Sequence, residues 1–356
     1  MRQEAAVDGF RLAYERAGPA GAPSVLLLHG WPGDWTDYRD VLPLLTARAD
    51  VVVPDLRGFG ESDKHPADPA REYSAAAQAR SLIGLIEELA LGRPVIAGYD
   101  IGSRIAQAIA AARPDLVRAL VIAPPLPGIG DRILQPQAQR EFWYQAFHQL
   151  QVCAELIDGK PEAVRAYLRH FWSHWSGPRY EPGHDHLEHL VSVYGPPGAF
   201  TASIAWYRAG AGSVAASLAE RVPEPEARIA APTTVLWPSH DPLFPEQWSD
   251  RIGDFFSAAQ LTRLDGAGHF TPVERPRDFA AAILAAGAAA GGEAGIPADL
   301  ADALARDAAA GAAFARLPRS HRSEWVRWVE EAKRADTRAM RIAKTVQSLR
   351  DGKPAR

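Results

Sequence analysis

The sequence predicts an α/β fold: a mostly parallel sheet with helices on both faces, interrupted by a helical insertion and followed by a small all-α extension. Three observations predict it. Short apolar runs, each stopped by glycine or proline, alternate with stretches of helical periodicity. That rhythm breaks between about residues 126 and 228, where aromatic and histidine side chains accumulate, and resumes at Thr233. From about residue 291 an Ala/Gly-rich stretch gives way to a basic one. The expected organisation is a first part of the core over 1–125, a helical lid over 126–228, a second part of the core over 229–290, and a linker with a basic helical extension over 291–356.

The elements follow in order. Ser24–Leu28 (SVLLL) ends in His29-Gly30, Val51–Val53 in Pro54-Asp55, and Pro94–Ala97 at Gly98. Ala119–Ala123 ends in Pro124-Pro125, and Thr233–Trp237 at Pro238. Such runs read as buried strands. Between them, Tyr73–Leu91 carries Leu82, Ile83, Ile86 and Leu89 at helical spacing, and Arg104–Arg113 is also helix-like. Strands alternating with helices imply a parallel sheet covered on both faces. In open α/β sheets ligands sit beyond the carboxyl ends of the strands, so the polar residues just after each strand are where chemistry is sought.

Composition narrows the function. The chain has 356 residues, 47% apolar and 23% charged, with a net charge of −4. That is enough chain for a large core and too apolar for extended disorder. The whole chain gives no electrostatic case for nucleic acid. A single cysteine, Cys153, excludes an internal disulfide framework and Cys-rich zinc sites. The first ten residues lack the apolar core of a secretory signal, and Phe279–Gly292 is too short and weakly apolar to span a bilayer. The expectation is a cytoplasmic protein of bacterial style that needs no membrane, metal or cofactor and acts on a small molecule, with self-association open.

The most informative segment is Gly98-Tyr99-Asp100-Ile101-Gly102, between a strand end and a helix start near Ser103. It has the form of a nucleophile elbow with Asp in the place of Ser. Small flanking residues permit the sharp turn, and the helix N-terminus faces developing negative charge. Leu28-His29-Gly30-Trp31-Pro32-Gly33 follows the first apolar strand and is the kind of loop that donates a second oxyanion N–H, here from Trp31. Asp241 follows the strand ending at Pro238, and His269 stands in a Gly-rich loop, Leu264–Phe270, after another.

The chain order Asp100, Asp241, His269 matches that of the α/β-hydrolases. With Asp55-Leu-Arg-Gly-Phe-Gly-Glu-Ser-Asp63, these segments make residues 4–290 resemble that superfamily, in the branch with an aspartate nucleophile: epoxide hydrolases, haloalkane dehalogenases and fluoroacetate dehalogenases. The resemblance implies that Asp100 attacks an sp³ carbon to form an alkyl-enzyme ester. His269 then activates the water that hydrolyses it, and Asp241 orients His269. Asp131 is the fallback orienting partner. The backbone N–H groups of Trp31 and Ile101 form the oxyanion hole.

The leaving group decides what the lid must supply. An epoxide leaves as an alkoxide and needs a proton; a halide needs N–H donors. Phe142-Trp143-Tyr144-Gln145 resembles the epoxide-hydrolase lid in which Tyr144 is one ring-opening tyrosine, and Trp206-Tyr207-Arg208 resembles the stretch carrying the other. Phe142, Phe147, Trp206, Trp31 and Arg104 are the expected pocket residues, and they suit an apolar or aryl epoxide. Ile101 stands where haloalkane dehalogenases carry Trp and fluoroacetate dehalogenases Arg, although Arg104 matches a carboxylate-binding Arg of the latter group. The expected function is hydrolysis of epoxides to vicinal diols. A dehalogenase with the same triad, or a non-catalytic scaffold, is the alternative. The segment His184–His189 lacks a metalloprotease spacing and reads as a solvated helix or loop.

From Arg316 to Arg356 there are 12 Lys and Arg against 5 Asp and Glu, a charge of +7. The extension from about 296 resembles the YdeI/OmpD-associated family, which brings no mechanism with it. Trp325, Trp328, Val329 and Ala332 form one expected apolar face, and Met340, Ala343, Val346 and Leu349 another, within a unit of three helices. No aromatic–basic pattern points to nucleic acid, though in the scaffold alternative this segment is the interaction module.

Overall fold

The computed structural model describes residues 2–181, 183–210, 213–290, 297–317, 319–332 and 334–351. The linker expected from 291 to 296 lies outside the described residues. The chain divides into two compact units, Met1–Gly287 and Ala288–Arg356.

The first unit is built on eight strands: β1 (Gln3–Val7), β2 (Phe10–Ala17), β3 (Ser24–Leu28), β4 (Asp50–Pro54), β5 (Val95–Gly98), β6 (Ala119–Ile122), β7 (Thr233–Pro238) and β8 (Ala259–Leu264). Their order across the sheet is β1-β2-β4-β3-β5-β6-β7-β8. β1 and β2 are antiparallel, as are β2 and β4; every other pairing is parallel. The central strands carry Val, Ile and Leu on both faces because helices cover both. Leu26, Leu27, Leu28, Val51, Val52 and Val53 have no exposure at all. The edge strands β1 and β8, and β2 between β1 and β4, are mixed in polarity and form no continuous apolar run, β8 being mostly exposed.

Helix Ala75–Glu88 is capped by the Ser74 hydroxyl, which accepts from the Ala77 N–H, and buries Leu82, Leu85 and Ile86. Helix Ile101–Ala112 buries Ile105, Ala106, Ile109 and Ala110, and starts two residues before Ser103. The register β3–β5 sets Leu28 beside Gly98, so the loops after these two strands leave the sheet side by side.

Between β6 and β7 the chain is helical, with no strand among the described residues there. Its longest helices are Pro161–Trp175 and His184–Tyr194. They bury Phe171, Trp172, Trp175, Leu190 and Tyr194. The insert is bonded to the loop after β3: the Trp172 indole donates to the Pro32 carbonyl (3.0 Å) and the Tyr194 hydroxyl to the Gly33 carbonyl (2.7 Å). The segment His184–His189, expected to be solvated, is so only in part: His184 and Asp185 are exposed. His186 is buried against Trp172 and Asp37, and His189 meets Asp34 at 2.7 Å.

Among the described residues from 297 onward there are four helices, not three: Ala298–Arg306, Ala308–Arg316, Arg319–Glu330 and Ala335–Arg350. Leu300, Leu304, Ala310, Phe314, Trp325, Val326, Val329 and Leu349 form the core of this second unit. The last helix packs through Ile342, Val346 and Leu349, whereas Met340, expected on that face, is 61% exposed. Arg338 holds Asp299 with two bonds, of 2.6 and 3.1 Å. No helix of the described residues is long and apolar enough to cross a membrane.

Candidate active site

The loops beyond β3, β5, β7 and β8 converge at the carboxyl edge of the sheet. Asp100 sits at φ 49° and ψ −126°, a left-handed backbone that a non-glycine residue adopts only at a cost of about 1–3 kcal/mol. The surroundings enforce it. A methyl group on Gly102 would run into the Leu28 carbonyl, and one on Gly98 would lie 2.6 Å from the Gly102 carbonyl carbon. The Asp100 N–H is held by the Pro124 carbonyl at 3.0 Å. The turn therefore lifts Asp100 above the sheet at the head of the following helix.

Its two carboxylate oxygens have different partners. Oδ1 accepts from the Trp31 backbone N–H at 2.7 Å. Oδ2 faces His269 Nε2 at 3.2 Å. Ile101 opens the next helix, where a backbone N–H has no acceptor within the helix. His269 Nδ1 meets Asp241 Oδ2 at 2.8 Å, and the other Asp241 oxygen accepts from the Leu243 N–H at 2.9 Å. Asp100, Asp241 and His269 are thus brought together, as their chain order suggests. Asp131 is not with them: it lies in a 3-10 turn, 81% exposed, near Arg251.

Electrostatics follow from this geometry. Burial alone pushes the His269 imidazolium pKa down, but Asp241 and Asp100 on either side outweigh it and hold the pKa up at about 10. The resting state is an imidazolium between two carboxylates.

The cavity over Asp100, of about 200 Å³, is walled by Ile101, Leu126, Phe142, Trp206 and Phe244 among others, with Tyr144 and Tyr207 on its lining. The two tyrosine rings meet edge-on, centroids 5.5 Å apart. Burial, and then nearby groups including Asp100, push both phenol pKa values far up, so both remain protonated. Arg104 also lines the cavity, facing Glu220 at 3.4 Å. Two expected pocket residues do not. Phe147 is on the tyrosine's helix, Trp143–Gln149, but three positions on, turned toward Trp143 and Tyr167. The Trp31 indole is fully buried, stacked on Tyr144 at 5.8 Å, and contributes its backbone rather than its ring.

Sequence reasoning missed Glu274, whose carboxylate accepts from the N–H groups of Gly177 (2.9 Å), Gly268 (2.8 Å) and Phe270 (3.1 Å). A Glu one turn beyond the His269 loop, reaching back to free N–H groups at a helix start, is a legible signal of the capping-box kind.

Comparison with known proteins agrees with this architecture. The chain is 28% identical over 295 residues to the soluble epoxide hydrolase of Corynebacterium sp., covering 77% of this chain and 92% of that one. A haloalkane dehalogenase of Bradyrhizobium diazoefficiens is 33% identical over 169 residues, about half of each chain. The crystal structure of epoxide hydrolase A from Mycobacterium thermoresistibile superposes with a TM-score of 0.64 at 25% identity, covering 80% of this chain and 97% of that one. Residues 293–352 match the bacteriocin-protection, YdeI or OmpD-associated family. Residues 23–276 match the alpha/beta hydrolase fold family, and the chain belongs to it.

Proposed function

We propose that the chain is an epoxide hydrolase that opens epoxides to vicinal diols through an ester on Asp100. The observation that carries this reading is the pair of protonated phenols, Tyr144 and Tyr207, lining the same cavity as the Asp100 carboxylate. Such a pair serves a leaving alkoxide, which must be given a proton. Relatives named as epoxide hydrolases along most of the chain support it.

In the first half-reaction Asp100 Oδ2 attacks an epoxide carbon, and the electron pair of the breaking C–O bond goes to the ring oxygen. That oxygen takes a proton from Tyr144 or Tyr207. In the second, water attacks the ester carbonyl carbon while His269 Nε2 takes its proton. The oxyanion forms on Oδ1, where the Trp31 N–H already stands; Ile101 supplies the second N–H. Collapse releases the diol and returns the carboxylate, and the proton taken from water leaves His269 the imidazolium it was at the start.

Alkylation also creates the base. Esterification removes the negative charge of Asp100, one of the two that keep His269 protonated. Burial then weighs more heavily, and the imidazolium gives its proton to the tyrosinate left by the first step, so that a neutral imidazole is in place when a base is needed. Leu126, Ile129, Ile133, Phe142 and Phe244 favour an apolar or aryl substituent.

The test is a panel of epoxides, including styrene oxide, beside haloalkanes and haloacetates, with diol and halide assayed together. Diol without halide is expected. Halide alone would keep Asp100 and overturn the role of the tyrosines.

A further inference from the structure

We infer that Glu274 is a positioning residue for the second half-reaction, holding His269 where it can activate water. The inference rests on the ester mechanism proposed above.

Glu274 ends the short helix Thr271–Glu274 that follows His269, and its side chain folds back over that helix's start. One oxygen accepts from Gly268, the residue before His269, and the other from Phe270, the residue after it. The same carboxylate binds the Gly177 N–H of the insert. The His269 N–H itself donates to the Trp175 carbonyl at 2.8 Å. The backbone on both sides of His269 is therefore fixed, three of its contacts running to one side chain or to the insert beside it.

The two loops leave no slack. A methyl group on Gly177 would lie 2.5 Å from the Gly266 carbonyl and 2.9 Å from the Glu274 carboxylate. Three N–H groups need an acceptor with two oxygens. Glutamine offers only one, and its amide N–H would oppose one of the donors. Removing the clasp loosens His269 while leaving Asp100, Tyr144 and Tyr207 on other elements untouched.

This placement predicts a split between the half-reactions. The first needs Asp100 and the tyrosines; only the second needs His269 as base. In Glu274→Ala the alkylation rate constant is expected to stay within about twofold and ester hydrolysis to fall at least tenfold, with Glu274→Gln between it and the parent. kcat and KM then fall together, kcat/KM holds, and an Asp100 adduct builds up in intact-mass spectra at steady state. His269→Ala, which removes the base, is the control and shows the same adduct. Because the readout is a ratio of two steps per active enzyme, partial loss of folded protein does not mimic it. Loss of both steps together, or unchanged hydrolysis, in Glu274→Ala overturns the inference. If the adduct is missing from His269→Ala as well, the ester mechanism itself fails and takes the inference with it.

Discussion

The Trp31 backbone N–H donates to Asp100 Oδ1 at 2.7 Å, leaving Oδ2 as the oxygen that faces His269. The two oxygens are thereby distinguished before any substrate arrives. Oδ2 is the one that attacks, and Oδ1 becomes the ester carbonyl with a donor already in place. Preorganisation of this kind avoids reorienting a dipole when charge develops, and one such donor is worth about 2.7–4 kcal/mol in known cases. Asp100→Ala removes both functions, so diol formation should fall at least about a thousandfold with no adduct by mass spectrometry. Retained turnover in that variant would sink the mechanism.

The tyrosines act in the other direction. Tyr144→Phe and Tyr207→Phe keep the edge-on packing of the rings but each remove one proton donor. General acid catalysis is worth about 10²–10⁴ in rate, shared here between two groups. Each single variant should slow alkylation by about tenfold or more, and the double variant far more than either. Ester hydrolysis, followed after a single turnover, should not change.

The strands were legible in the sequence where they are buried on both faces, since β3 to β7 read as unbroken apolar runs. β1 and β2 give no such run because polar and apolar residues mix along them, and β8, a mostly exposed edge strand, is legible only as the stretch before the Gly-rich loop of His269. The triad was legible because each member stands within five residues of a strand's carboxyl end. Pocket membership was less so: Tyr144 and Phe147 share a helix, and aromatic content alone does not say which of them turns to the cavity. His186 read as solvated because the sequence does not show that Trp172 and Asp37 cover it.

Asp241 holds His269 Nδ1 at 2.8 Å and is one of the charges that keep its proton on. Asp241→Asn keeps the volume but lets the ring adopt the wrong tautomer, an effect that can reach about 10⁴ in a comparable triad. Hydrolysis of the ester should slow by at least a hundredfold, with the adduct accumulating and alkylation close to normal. A uniform loss of both steps would show that Asp241 supports the fold rather than the base.

Burial and two carboxylates act on His269 in opposite senses, and the carboxylates win, giving a pKa of about 10 against roughly 6.5 in an unfolded chain. A raised folded-state pKa means that the ion cluster contributes its full stability below about pH 6.5 and loses it as pH rises through 10. Denaturant unfolding of the parent and of His269→Gln should therefore differ most near pH 6, and the difference should shrink towards pH 10. In the alkyl-enzyme, where Asp100 is an uncharged ester, the same imidazole should titrate lower. Single-turnover hydrolysis should accordingly rise with pH through a pKa below 10 and level off. If the hydrolysis limb instead lies at or above 10, esterification does not release the base.

Every residue assigned a role here lies between Trp31 and Glu274, inside the first compact unit. The four-helix unit has its own core, built around Leu300, Phe314, Trp325 and Val329. A chain ending at residue 290 should therefore keep kcat/KM for its best epoxide within about twofold. If it does, the basic helices have a role separate from turnover. A loss of turnover with an unchanged thermal unfolding midpoint would tie those helices to the reaction, because stability alone would then not explain it.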